Sequence, residues 1–221
     1  VPNITASFVS DDKKDVRKKV HQSFLMLLYV TMPMAVGLSI LAKPVFTAFY
    51  GVSNWGPKVF CFTIFIALFR CMFTTSISIA QSLNKFKNVF LSIIAGIVVK
   101  LILQVPLMHL FNSIGLYPFW GATLATLTGL STSIITNLVV INKTVSLDFK
   151  EYFKDMFKFI YPLIIMIIAL IIFKTFISID ANSRMHAIML IGALIYFALT
   201  IKNGIFNKIF GDKLLNKLRK E

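Results

Sequence analysis

The sequence predicts an all-α integral membrane protein with six membrane-crossing helices, and three observations carry that expectation. The chain is 57% hydrophobic and only 14% charged, whereas soluble domains run at about 45–50% apolar and about 25% charged. Its apolar residues fall in blocks close to the ~20 residues that a helix needs to cross a bilayer. Its Lys and Arg gather at the ends of those blocks. Helices follow because lipid offers no partner to a free backbone N–H or C=O.

The blocks are residues 22–42, 59–82, 89–111, 119–141, 157–177 and 185–201. Basic residues orient them. One side of the membrane receives Lys13, Lys14, Arg17, Lys18 and Lys19, then Lys85 and Lys87, then Lys143, Lys150 and Lys154, and six more from Lys202 to Lys220. The other side receives only Lys43, Lys58 and Arg184. Sixteen against three places both ends of the chain in the cytoplasm. Trp55 and Trp120 then fall on the outer side, where an aromatic belt sits.

Residues 1–9 read as the end of a preceding transmembrane helix, and 10–21 as a cytoplasmic basic linker helix with an apolar stripe of Val16, Val20 and Phe24. Residues 22–141 form a four-helix core, 142–156 a cytoplasmic link, 157–201 the last two crossing helices, and 202–221 a basic amphipathic tail. The net charge of +14 sits beside apolar blocks. It therefore points to anionic membrane lipids as a partner, not to nucleic acid.

Enzyme and metal signatures are missing. His21, His109 and His186 are isolated, and no span contains Asp or Glu. Cys61 and Cys71 share one expected helix about 15 Å apart, too far for a disulfide. The sequence implies no cofactor, no metal site and no catalytic residue.

The residues that suggest chemistry are Arg70 and Lys100, each near the middle of its span. A charge at that depth costs about 2.5–3.5 kcal/mol on insertion scales, so it usually faces a bundle interior or a wet cavity. Thr63, Arg70, Thr74, Ser78 and Gln81 fall on one helical face, and Ser92, Gly96, Lys100 and Gln104 follow at intervals of four. No carboxylate in the spans can neutralise the two cations. A cavity lined by Arg70, Lys100, Thr74, Ser78, Gln81 and Gln104 would favour an anion, with the Arg fork suited to phosphate. Bonds to backbone carbonyls, or acids from another part of the protein, are the competing explanation. Pro33, with Gly37 one turn later, marks either a hinge or a static kink. Gly121, Ala125, Gly129 and Ser133 read as a close-packing stripe.

The order of short motifs resembles the lipid II flippase and stage V sporulation protein B branch of the multidrug/oligosaccharidyl-lipid/polysaccharide exporter superfamily. The motifs are Val1-Pro2-Asn3-Ile4-Thr5-Ala6-Ser7, Met32-Pro33-Met34-Ala35-Val36-Gly37-Leu38, Leu41-Ala42-Lys43-Pro44, Phe49-Tyr50-Gly51, Gln81-Ser82-Leu83-Asn84-Lys85 and Gly121-Ala122-Thr123-Leu124-Ala125-Thr126. The resemblance implies the C-terminal lobe of a two-lobe exporter in the bacterial inner membrane. It also implies an undecaprenyl-pyrophosphate-linked glycan as cargo, an N-terminal lobe as partner, and Arg70 and Lys100 as receivers of the pyrophosphate. The last two spans would flank a groove for the lipid tail. Lys100 and Gln104 stand where some relatives carry a carboxylate-containing cation site. The expected function is flipping of lipid II by alternating access. A flippase for another lipid-linked glycan, a cation-coupled drug antiporter and a non-transporting assembly scaffold are the alternatives.

Overall fold

A computed structural model describes residues 2–176 and 182–204, and they form eight α-helices joined by short turns. These are α1 (Pro2–Val9), α2 (Lys13–Ile40), α3 (Ala42–Tyr50), α4 (Gly56–Ser82), α5 (Phe86–Ser113), α6 (Pro118–Val145), α7 (Phe149–Phe176) and α8 (Asn182–Lys202). The amphipathic tail expected from Ile205 onward lies outside the described residues.

Among the described residues, five helices are long and apolar enough to cross a membrane, in α2, α4, α5, α6 and α7. The apolar part of α8, Ala187–Lys202, is shorter, so six full-length crossings become five and a shorter sixth. The long helices have 27 or 28 residues, about 40–42 Å of rise, which matches a bilayer with its headgroup layers. The sequence marked only their hydrocarbon-spanning portions. Along α5, Leu101, Ile102 and Val105 are each at least 60% exposed. Lipid, not water, is the solvent such a face requires.

Two expected boundaries move. The linker 10–21 is not a separate helix, because α2 runs unbroken from Lys13 to Ile40 through Pro33. Asp12 starts it, its Oδ1 accepting the Asp15 N–H at 3.0 Å, as an N-cap does. The link 142–156 shrinks to 146–148, since α6 continues to Val145 and α7 begins at Phe149. The connection that follows α2 contains a helix of its own, α3, which stops at Gly51 in the left-handed region (φ 81°).

Helix stops follow one pattern. At the end of α4, Lys85 N–H bonds Ala80 O (3.0 Å) and Asn84 N–H bonds Gln81 O (2.9 Å), with Asn84 at φ 58°. At the end of α5, Leu116 N–H bonds Phe111 O (2.9 Å) and Gly115 N–H bonds Asn112 O (3.1 Å), with Gly115 at φ 78°. Both are Schellman stops, in which a left-handed residue turns the chain and satisfies the last carbonyls.

The described residues fall into two compact units. The first comprises Val1–Leu27 and Phe62–Asp148, and the second Leu28–Cys61 and Phe149–Glu221. In the first, α5 and α6 lie in contact along much of their length. A Cβ at Gly96 would run into Ser133 Oγ and come within 2.6 Å of Gly129 O, and one at Gly121 would come within 2.5 Å of Leu107 O. Gly121, Ala125, Gly129 and Ser133 are all buried, so the small-residue stripe of α6 is the packing seam. Buried polar groups join it: Ser133 Oγ donates to Ser92 O at 2.8 Å, and Asn137 Nδ2 donates to Ser76 Oγ at 3.3 Å.

The core of the second unit is aromatic. Tyr29 lies 5.6 Å from Tyr196, 5.6 Å from Phe197 and 6.1 Å from Phe159 between ring centroids. Thr200 Oγ1 donates its proton to Phe197 O (2.9 Å), so Tyr29 Oη is the donor in the 2.9 Å bond to Thr200. Helix α8 packs on α7, where Gly192 admits Leu170; a Cβ there would come within 2.8 Å of Leu170 Cδ2.

Candidate functional site: two cations at membrane depth

Helix α4 has two chemically distinct sides. Ser76, Ile79 and Ala80 are buried, as is Leu83 just beyond its end. At 100° per residue, Arg70, Thr74, Ser78 and Gln81 lie on the opposite side. Arg70, Thr74 and Gln81 are exposed there and Ser78 is half-buried. Thr74 Oγ1 returns its proton to Arg70 O at 2.9 Å, so its polarity is partly absorbed by its own helix. Among the described residues, the Arg70 guanidinium has no ion-pair partner.

Helix α5 divides differently. A series at intervals of four advances about 40° around the helix at each step. Ser92 and Gly96 therefore sit in the α6 contact, buried, while Lys100 and Gln104 have rotated to its flank and are half-buried. The expected polar stripe on α5 is thus two things: packing at its N-terminal end and polar side chains toward its middle. Lys100 is anchored by its backbone, because a Cβ on Gly129 would lie 2.9 Å from Lys100 Cβ and 3.5 Å from its Cα. Lys100 also has no ion-pair partner among the described residues. By contrast Lys158, on α7, pairs with Asp155 at 3.1 Å, so it is a neutralised residue.

Both central cations belong to the first unit. The expected hinge residues belong to the second, where Pro33 and Gly37 line an apolar groove of about 230 Å³. Met34 and Leu41 of the same stretch, Met166 and Leu170 of α7, and Met189 and Tyr196 of α8 complete most of its wall. The family resemblance implied a groove beside the last two spans, and the groove seen here also takes residues from α2. A groove that joins α2 to the chain-distant pair α7 and α8 has no local signal; the nearest one was the Pro33–Gly37 pair. Tyr196 Oη is buried with no hydrogen-bond partner among the described residues.

Residues 3–60 match the family model described as "Polysaccharide biosynthesis protein". Over 154 residues, 68% of this chain, the sequence is 30% identical to the Lipid II flippase MurJ of Bacillus subtilis (strain 168). The aligned stretch spans 27% of that relative's length. No solved structure matches. The family match over α1 to α3, the flippase similarity and the multi-pass helical fold agree: the chain belongs to the polysaccharide biosynthesis and export family of the multidrug/oligosaccharidyl-lipid/polysaccharide exporter superfamily.

Proposed function

We propose that this chain is the C-terminal lobe of a bacterial cytoplasmic-membrane flippase that carries lipid II to the outer leaflet by alternating access. The observation that carries the reading is the polar, exposed side of α4, with Arg70 at its middle, opposite the buried side of the same helix. An unpaired guanidinium facing acyl chains would cost about 2.5–3.5 kcal/mol on insertion scales. That side is better explained by a wet cavity shared with the rest of the transporter.

In this reading Arg70 grips the pyrophosphate through its planar fork and Lys100 adds a point charge. Thr74, Ser78, Gln81 and Gln104 line the cavity and hydrate the headgroup. The apolar groove on α2, α7 and α8 receives part of the hydrocarbon tail. Pro33 and Gly37 border that open volume, so α2 has room to bend there, which supports their role as a hinge. Both ends of the chain face the cytoplasm.

The test is replacement of Arg70 and Lys100 by Gln in the full-length protein, expressed in cells depleted of their lipid II flippase. Loss of outer-leaflet precursor at normal membrane abundance is expected. Unchanged flipping would refute the reading. The family description, polysaccharide biosynthesis, favours one second reading: a flippase for another polyprenyl-linked glycan. In that case the wild-type protein fails to rescue lipid II flipping but restores export of the other polymer.

A further inference from the structure

The start of α2 carries seven charges from Asp12 to Lys19, and the structure sorts them by partner. Arg17 pairs with Asp148, just past the end of α6, at 3.1 Å. Lys19 pairs with Asp15 at 2.6 Å, and Ser7 of α1 donates to the same carboxylate at 2.6 Å. Asp12 caps the helix. These contacts tie α1, α2 and the end of α6 together, and a small gap lined by Phe8, Asp11, Lys13, Val16, Thr144 and Val145 lies among them.

Lys13, Lys14 and Lys18 remain, all exposed and with no ion pair among the described residues, although Lys18 lies close enough to Asp15 to help Lys19 and Ser7 hold its carboxyl below the usual range. Lys14 and Lys18 are one turn apart on the side of α2 away from buried Val16 and Val20. Lys143, on the last turn of α6, is exposed as well. Asp11 is the remaining exposed acid nearby.

We infer that Lys14 and Lys18, supported by Lys13 and Lys143, form a binding surface for the headgroups of anionic phospholipids in the leaflet that α2 enters. The argument is charge complementarity and place. The helix that carries these lysines continues without interruption into an apolar stretch, so they stand at headgroup level beside the bilayer. None of them is held in a direct ion pair among the described residues, in contrast to Arg17 and Lys19. A juxtamembrane base at such a surface attracts anionic lipid measurably and loses that attraction with salt. The surface lies outside the cation pair at membrane depth, so it does not depend on what the transporter carries.

The experiment uses the full-length protein in phosphatidylcholine vesicles, with phosphatidylglycerol as the anionic probe. Retained phosphatidylglycerol is counted by native mass spectrometry after gentle delipidation. Wild type should retain it preferentially, and the K14Q/K18Q variant should show about fivefold weaker retention per lysine removed. K14R/K18R should keep it. Equal retention by wild type and the Gln variant would overturn the inference, as would loss in the Arg variant. A wild-type signal indifferent to salt would overturn it too, and that measurement needs no variant.

Discussion

The Cα and Cβ of Lys100 rest directly on Gly129 of α6: a single methyl group on that glycine would sit 2.9 Å from Lys100 Cβ and 2.7 Å from Gly96 O. The seam between α5 and α6 therefore sets the position of the central ammonium. Gly129→Ala should push the helices apart and cost about 1–3 kcal/mol, the usual penalty for overpacking. We expect a lower melting temperature in detergent and reduced precursor transport. Gly96→Ala should be at least as damaging, because its Cβ meets both Ser133 Oγ and the Gly129 carbonyl.

Arg70 offers a graded test of phosphate recognition. Arg70→Lys keeps the charge but loses the planar pair of donors, and Arg70→Gln loses both. Transport in complemented cells should fall in the order Arg, Lys, Gln, with membrane abundance unchanged because the side chain is exposed and makes no ion pair among the described residues. Equal transport by all three would mean that Arg70 does not touch the cargo.

Asn84 turns the chain between α4 and α5 at φ 58°. Asn84→Gly should be neutral or slightly stabilising, since glycine adopts this conformation without strain. Asn84→Val should cost about 1–2 kcal/mol, because a β-branched residue resists the left-handed region. Thermal unfolding of the two variants side by side checks the sign.

Asn137 donates to Ser76 Oγ while its own Oδ1 is buried with no partner among the described residues. Asn137→Ala should cost about 1 kcal/mol, within the range for polar contacts between membrane helices. Asn137→Leu should cost less, since it removes the bond and the unsatisfied oxygen together while keeping volume. Ser76 Oγ would still donate to Phe73 O, 2.7 Å away. Unfolding in mixed micelles gives both values.

Composition and apolar block length revealed the helical membrane fold, because lipid leaves little choice of backbone structure. Block ends were less legible. The helices extend past the hydrocarbon region into polar turns, and α2 absorbs a charged linker that looked separable. Helix α3 was missed because its nine residues are too short to cross a membrane and carry Pro44 near their start. The small-residue stripe of α6 was visible as periodicity alone. Its partner on α5 was half misread, because Ser92 and Gly96 are buried in the α6 contact, whereas Lys100 meets Gly129 only through its Cα and Cβ and is half-buried. Spacing shows which residues share a face; only packing shows what each part of that face meets. The groove beside Pro33 needed α2 brought against the distant pair α7 and α8 and had no sequence signature beyond the proline.

The turn of Leu83, Asn84 and Lys85 has a consequence for biogenesis. It ties the helix bearing Arg70 to the one bearing Lys100 so tightly that neither can be released into the bilayer far ahead of the other. A polar strip that would stall one helix at the insertion machinery can instead leave as part of a hairpin. Its partner's greasy flank then faces the lipid. Lengthening this loop should slow membrane integration before it harms the finished protein.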